Sequence, residues 1–387
     1  MRGRRLLLVA LFAVAGVCIP GGRAVSIAVD YPAITPEGIG AHIAAIQGPR
    51  SGTGDEANRE KLAEVAAYIR GQLTDDGLVV TEDPVTFGGQ TFPNVVGRLE
   101  GTTCPEKTFI VGGHYDGASE GPGADDDASG VAGMLEMARV LSTQALPASV
   151  DFVGFSFEEA GLIGSRQMAQ DAAASSRDLL GMFSMEMIGY TCDEPGCQSY
   201  PAGTEPLREL GDFLLLVGNT YSSSLLDTFM ESSSAAVPGL IVLPLEVSGN
   251  GEEVPDVRRS DHAPFWDSGF KALLVDDTAD LRNPNYHQPT DTLDTLDLQF
   301  AADVANASAA TVVNALSADE NGDGWADVCG EAPIGGNAES PQPDNQVLSE
   351  NEESTSNDTL TFVLIALAGA IALTGVSALY VIRRRSG

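Results

Sequence analysis

The sequence predicts an α/β fold with a mainly parallel central sheet flanked by helices in a single domain. Three observations predict it. Apolar, β-branched runs alternate with segments of helical period across residues 78–316. No internal repeat and no composition break divides that span. His and acidic residues gather where the apolar runs end, which is where an open α/β sheet presents its polar groups.

In chain order, residues 41–50 form a short amphipathic lead-in helix, which puts His42 on the surface. Leu62, Val65, Ile69 and Leu73 share one face of a helix over 58–73, stopped at Asp75-Asp76-Gly77. Residues 78–85 and 94–99 read as strands joined by a turn at Gly88-Gly89. Phe109-Ile110-Val111 is a buried strand ending at Gly112-Gly113, and His114-Tyr115-Asp116 follow where a loop leaves it. After a Gly-rich loop carrying Asp125-Asp126-Asp127, Val131, Leu135, Ala138 and Leu141 recur at helical spacing. Residues 149–157, SVDFVGFSF, make a strongly apolar strand closing at Glu158-Glu159, and 162–174 a helix. Residues 181–188 are a strand, 206–216 and 222–230 helices, 239–245 and 270–275 strands. Residues 296–316 form a long helix with Phe300, Val304, Ala307 and Val312 inward.

Composition narrows the function. The 55 Asp+Glu against 21 Lys+Arg give a formal charge of -34, which excludes nucleic acid as a partner because its phosphates would be repelled. Arg2, Arg4 and Arg5 precede an apolar run, so residues 1–24 read as a signal peptide. Residues 360–382 are apolar, uncharged and long enough to span a bilayer, and the basic tail at 383–387 puts the C-terminus on the cytoplasmic side. The expected location is thus the extracytoplasmic face of a membrane, with a single C-terminal transmembrane helix and a disordered stalk over 331–358. Cys104, Cys192, Cys197 and Cys329 remain after the signal peptide, an even number that suggests two disulfides. Cys192 and Cys197 are close enough to bridge a local loop, which leaves Cys104 with Cys329. Residues 319–330 are an acidic segment after the main domain at 25–318. Asp319, Asn321, Asp323 and Asp327 have the spacing of a calcium loop, and Gly324 allows its turn. The segment resembles one thrombospondin-type calcium repeat; the alternative reading is a disulfide-tied acidic loop.

Three adjacent aspartates repel one another, and holding them near a His is reasonable if a cation sits there. A solvated acidic turn explains them equally well in isolation. The rest of the chain decides. Of the four His, His114, His262 and His287 all lie beside carboxylates at strand ends or in loops. His114, Asp126, Glu159, Glu186 and His287 stand out as metal ligands, since imidazole with carboxylate suits zinc. Five ligands exceed the needs of one catalytic zinc with an open position. They fit two metals sharing a carboxylate, with Asp126 the natural bridge. Glu158 is then free to move protons, provided a sharp turn brings it to the same site as Glu159, because neighbours on an extended chain point opposite ways. Asp116 orients His114 by fixing its tautomer; Asp261 and Asp291 orient His or brace loops; and His262 is structural or pocket-lining.

The motifs GGHYDG, PGADDDASG, SFEEAGLIGS, MEMIGY, SDHAPF and NYHQPTDTLD, in this order, resemble the secreted di-zinc aminopeptidases of metallopeptidase family twenty-eight. The resemblance covers residues 42–316. It implies a phosphorylase/hydrolase-like domain and two Zn2+ per chain, one held by His114 and Glu186 and the other by Glu159 and His287, with Asp126 bridging. It also implies Glu158 as general base to a metal-bound hydroxide, peptides with a free N-terminus as substrates, and a match of Asp126-Asp127 to the family's often cis peptide. Asp126 rather than Asp125 is the bridge because the family's stands three residues before a Ser-Gly pair, here Ser129-Gly130. Many relatives have Asp where this chain has Glu186, although Glu also occurs there. The competing readings are a glutaminyl cyclase, which would bind one zinc, a carboxypeptidase, and a receptor-like ectodomain without catalysis. A carboxypeptidase would need cations such as Arg258, Arg259 or Arg282 for the substrate carboxylate.

Overall fold

The computed structural model describes residues 32–118, 120–200, 208–321 and 326–330. Its centre is one eight-stranded sheet, in the order β1-β2-β4-β3-β5-β8-β6-β7. The strands are β1 (Val79–Phe87), β2 (Gln90–Leu99), β3 (Cys104–His114), β4 (Ala148–Phe155), β5 (Asp178–Glu186), β6 (Leu214–Asn219), β7 (Val242–Val247) and β8 (Leu273–Asp276). The helices are α1 (Pro36–Ile46), α2 (Glu56–Asp75), α3 (Ala128–Leu141), α4 (Ile163–Ala174), α5 (Ser223–Ala236), α6 (His262–Asp267) and α7 (Leu298–Ser317).

The four central strands, β4-β3-β5-β8, are mutually parallel. Outside them the sheet is mixed, because β2 runs against β4 and β6 against β8. Parallel strands are covered on both faces, and their sequences show it. All eight residues of β4 are buried, and so are the last seven of β3. Helices α1, α2, α3, α5 and α7 share one apolar core with the sheet, while α4 and α6 close the other face with Met168, Phe265 and Trp266.

Helix α3 is nearly all buried, wedged between the sheet, α1 and α7. Its first turn, Ala128-Ser129-Gly130, is small because it lies directly on β5. A Cβ at Gly130 would collide with the Met185 carbonyl. The four central strands all point their carboxyl ends the same way, so the residues after β3, β4, β5 and β8 converge along one rim.

Three expectations need correction. The helix over 206–216 does not form among the described residues; Leu214-Leu215-Leu216-Val217 is instead an apolar run taken up between β8 and β7. The lead-in helix starts earlier than expected, because Thr35 accepts from the Gly38 N–H and Pro36 opens the first turn. His42 is not on the surface. It is buried, with Nδ1 2.8 Å from the Tyr68 hydroxyl and Nε2 3.5 Å from Glu136 Oε1.

The location also needs correction. Among the described residues no helix is long and apolar enough to cross a membrane. The two longest, α2 and α7, each have 20 residues and spend their apolar faces on the core. The signal peptide, stalk, span and basic tail assigned to 1–24, 331–358, 360–382 and 383–387 lie outside the described residues. A membrane-held location therefore has no support in the fold. Of the calcium-loop oxygens, Asp323 is outside the described residues, and Asp327 Oδ2 accepts from the Glu320 N–H at 2.9 Å. Both disulfides form: Cys192–Cys197 within one loop, and Cys104–Cys329 tying the end of the described chain to the start of β3.

Glu136 on α3 shows how a buried acid is kept. Burial alone would raise its pKa, but a bidentate Arg139, at 2.8 and 2.7 Å, and His42 outweigh that and hold it at about 2. A depressed carboxylate contributes stability above its unfolded value and loses it as pH falls towards the folded one. Glu136→Gln should cost about 2 kcal/mol at neutral pH. It should also flatten the loss of stability between pH 4.5 and about 2, as measured by urea unfolding across pH. A wild-type profile identical in shape to the variant's would show that the ion pair contributes nothing.

Candidate metal centre

The carboxyl-terminal rim of the central strands gathers the candidate ligands. β3 ends on His114, β5 ends on Glu186, and the turn after β4 carries Glu158 and Glu159. The loop after β8 brings His287, whose φ of 57° is left-handed. Two groups form with ligand atoms close enough to share an ion: His114, Glu158 and Glu186, and Asp126, Glu159 and His287.

Asp126 stands between them. Its Oδ1 lies 3.3 Å from His114 Nε2, and its Oδ2 lies 3.0 Å from His287 Nε2. Glu186 Oε1 is 3.6 Å from His114 Nε2, and Glu159 Oε1 is 3.2 Å from His287 Nε2. Glu158 Oε2 is 3.8 Å from the same His114 nitrogen.

The donor set fits metal. His114 Nδ1 donates to the Asp116 carbonyl at 3.1 Å, so a neutral ring turns the bare lone pair of Nε2 towards Asp126, Glu158 and Glu186. A proton or a cation has to lie between them. Glu159 Oε1 is buried and makes no hydrogen bond. The electrostatics agree. Burial lifts the Glu158 carboxyl well above its ordinary range and also raises Glu159. Burial would lower His114, but Glu158 and Glu186 hold it well above normal; Asp126 and Glu159 push His287 up to about 10. A divalent cation reverses each of these shifts.

The three consecutive aspartates have three different jobs. Asp125 Oδ1 accepts from the Gly189 N–H and the Ser129 hydroxyl, and Oδ2 accepts from Asn283. Asp127 caps α3 through the Gly130 N–H and also takes the N–H groups of His114 and Met187, at 3.0 to 3.1 Å. Only Asp126 faces the site, and the Asp126-Asp127 peptide is cis. Asp291 receives the N–H groups of Asp125 and Asp126, at 2.9 and 3.2 Å, and burial moves its pKa up to about 7.

The turn that carries both glutamates is built by Asp116. Its two carboxylate oxygens accept the N–H groups of Glu158 and Glu159, at 3.0 and 3.3 Å. Phe157 before them takes φ 56°, and the Gly161 and Leu162 N–H groups close on the Glu158 carbonyl. Asp116 thus serves two loops: its backbone carbonyl takes the Nδ1 proton of His114, with Oδ1 3.7 Å from the same nitrogen, and its carboxylate holds the glutamate turn. Asp261 is wholly buried beside Glu158 with neither oxygen hydrogen-bonded, and burial moves it up to about 7. His262 does not join the ligands. Its Nε2 donates to the Val257 carbonyl at 2.8 Å, and its ring meets Trp266 edge-on.

Sequence reasoning missed Arg50 and the tie between Ser260 and Glu186. The Ser260 hydroxyl donates to Glu186 Oε2 at 2.6 Å. Arg50 is fully buried and donates to the carbonyls of Gly48, Tyr115, Pro122, Gly123 and Asp126. Neither leaves a local pattern. Asp127 did leave one, an acid one residue before a small-residue helix start.

A model of peptidase family M28 matches residues 94–312, more than half of the chain. The chain belongs to peptidase family M28. Among relatives of this M28 peptidase, the uncharacterised protein YfbL of Escherichia coli K12 is 34% identical over 261 residues, 64% of this chain and 79% of that protein. A probable zinc metalloprotease of Pyrenophora teres f. teres is 34% identical over 148 residues, 35% of this chain and 32% of its own length. An aminopeptidase from Aneurinibacillus sp. strain AM-1 superposes with a TM-score of 0.57 at 18% identity, over 74% of this chain and 95% of that one. At that identity it shows the fold alone. A zinc-dependent peptidase family agrees with the imidazole and carboxylate donors on the rim.

Arg50→Met removes five donors from buried carbonyls and the cation facing Asp126, Asp127, Asp116 and Asp291. It should cost at least about 3 kcal/mol, read from urea denaturation, with Arg50→Lys recovering only part of the loss. Full stability in Arg50→Met would mean the loops hold themselves.

Proposed function

We propose that this M28 peptidase is an aminopeptidase with a two-zinc centre. His114, Glu186 and Asp126 Oδ1 would hold one ion, and Glu159, His287 and Asp126 Oδ2 the other. The observation that carries this reading is the division of the two Asp126 oxygens between two imidazoles from opposite sides of the rim, at 3.3 and 3.0 Å. Zinc supplies Lewis acidity in such a site, worth several kcal/mol at an oxygen that gains charge.

The remaining chemistry belongs to the chain's own carboxylates. Glu158 reaches the rim without being needed as a ligand. It is suited to take a proton from the attacking water at Oε2 and later to release it to the leaving amine. Asp116 keeps the Glu158 backbone in place, so its carboxylate meets the scissile bond in one orientation. Asp126, Glu158, Glu159 and Glu186 balance the charge of two divalent ions, so the free amino end of a peptide is not repelled from the rim.

The test is direct. The purified chain should contain two zinc ions and hydrolyse aminoacyl-anilides. A chelator should abolish turnover, and added zinc should restore it; turnover that survives complete metal removal would end the proposal. Glu158→Gln should keep both ions while kcat falls by about 10²- to 10⁴-fold. One zinc per chain with cyclisation of N-terminal glutamine would favour the glutaminyl cyclase reading instead.

A further inference from the structure

Arg259 is an exposed cation at the edge of an acidic centre. Its guanidinium lies 5.5 Å from the Tyr286 ring, and that ring stacks on His287 with centroids 3.8 Å apart. The next residue along the chain, Ser260, hydrogen-bonds Glu186. Arg259 is thus fastened between neighbours of two candidate ligands drawn from opposite parts of the rim. Arg258 is engaged by Asp267, and Arg282 is buried against Gln198 and Phe213, so neither other cation shares this position.

We propose that Arg259 recognises a carboxylate on the substrate, placed one residue beyond the scissile bond, so that the enzyme prefers dipeptides and peptides of similar chemistry. The proposal rests on the aminopeptidase reading above and adds a substrate class to it.

Reach supports it. The two ring contacts place the guanidinium carbon within about 9 Å of the His287 ring, and an extended dipeptide spans about 7 Å. A dipeptide held by its amino end at the rim is therefore long enough to reach Arg259 with its terminal carboxylate. Chemistry supports it as well. Two divalent ions would balance Asp126, Glu158, Glu159 and Glu186, so a carboxylate further along the substrate needs a cation of its own, and Arg259 is the one fastened beside the rim. Arginine offers five N–H donors in a planar fork. Asp280 takes one at 2.7 Å and the Tyr286 hydroxyl another at 3.1 Å, which leaves donors for a second carboxylate. The pair with Asp280 is half exposed on both sides, at 43% and 45%, so a substrate displaces or shares it at little cost. The contact of Arg259 with the Tyr286 ring and hydroxyl also aims the guanidinium without requiring that pair.

The carboxylate could be the C-terminus or an acidic side chain in the second residue, and three probes separate these sources. For the zinc-loaded full chain, kcat/KM should be higher for alanyl-alanine than for alanyl-alaninamide by about 10- to 100-fold. Alanyl-aspartamide should match alanyl-alanine if a side-chain carboxylate also serves, and alanyl-alaninamide if only the C-terminus does. Arg259→Gln should erase the preference while leaving alanyl-alaninamide turnover within about twofold, and Arg259→Lys should restore part of it. Equal wild-type rates on the free dipeptide and its amide would overturn the proposal, as would an equal loss on both in Arg259→Gln. If no peptide is cleaved, the aminopeptidase reading fails on its own terms. Calorimetric binding of alanyl-alanine and its amide to wild type and Arg259→Gln then decides the carboxylate question, with equal affinities counting against it.

Discussion

Repulsion among neighbouring carboxylates is the constraint on which this structure turns. Asp125, Asp126 and Asp127 are adjacent in sequence and all three are buried. Left to themselves such groups move apart into water. Here the outer two are turned inward and saturated with backbone N–H groups, Asp125 from Gly189 and Asp127 from His114, Gly130 and Met187. Those bonds tie together the ends of β3 and β5 and the start of α3. The middle residue is left facing the rim, with an oxygen for each imidazole.

The same economy recurs around the site. Asp116 holds the glutamate turn through its carboxylate and His114 through its carbonyl. Asp291 holds the aspartate loop from the far side. Arg50 anchors that loop from below while adding a buried positive charge that faces it. Residues that hold the ligands are thus themselves charged, so the stability of the rim and its affinity for cations are coupled. Each carboxylate raised by burial lowers the free energy gained on folding, and a divalent ion would recover it.

Much of the fold was legible because burial writes itself into the sequence. The continuous apolar runs of β3 and β4 could only be strands covered on both faces, and the helical period of 131–141 survives in α3. The exception is informative. The run 214–217 lies in a segment whose spacing suited a helix, and pairing with β8 and β7 decided otherwise. His42 was misplaced for a related reason. A single polar residue on an amphipathic helix looks solvated until its partners, Tyr68 on α2 and Glu136 on α3, come from elsewhere. Arg50 was invisible because its partners are carbonyl oxygens, which every residue has.

The sequence by itself determined which residue types were on offer and in what order: His and acids at the ends of apolar runs, two cysteine pairs, and a spare glutamate beside a candidate ligand. Those follow from local chemistry and period, which one dimension can carry. Only the tertiary structure decided which backbone N–H groups hold Asp125 and Asp127, that the carbonyl of Asp116 takes the Nδ1 proton of His114, and that Arg259 lies against the Tyr286 ring that stacks on His287. These are choices between chemically identical candidates. They are made by distance and by which backbone groups lack partners, and both exist only once segments far apart in the chain have packed together.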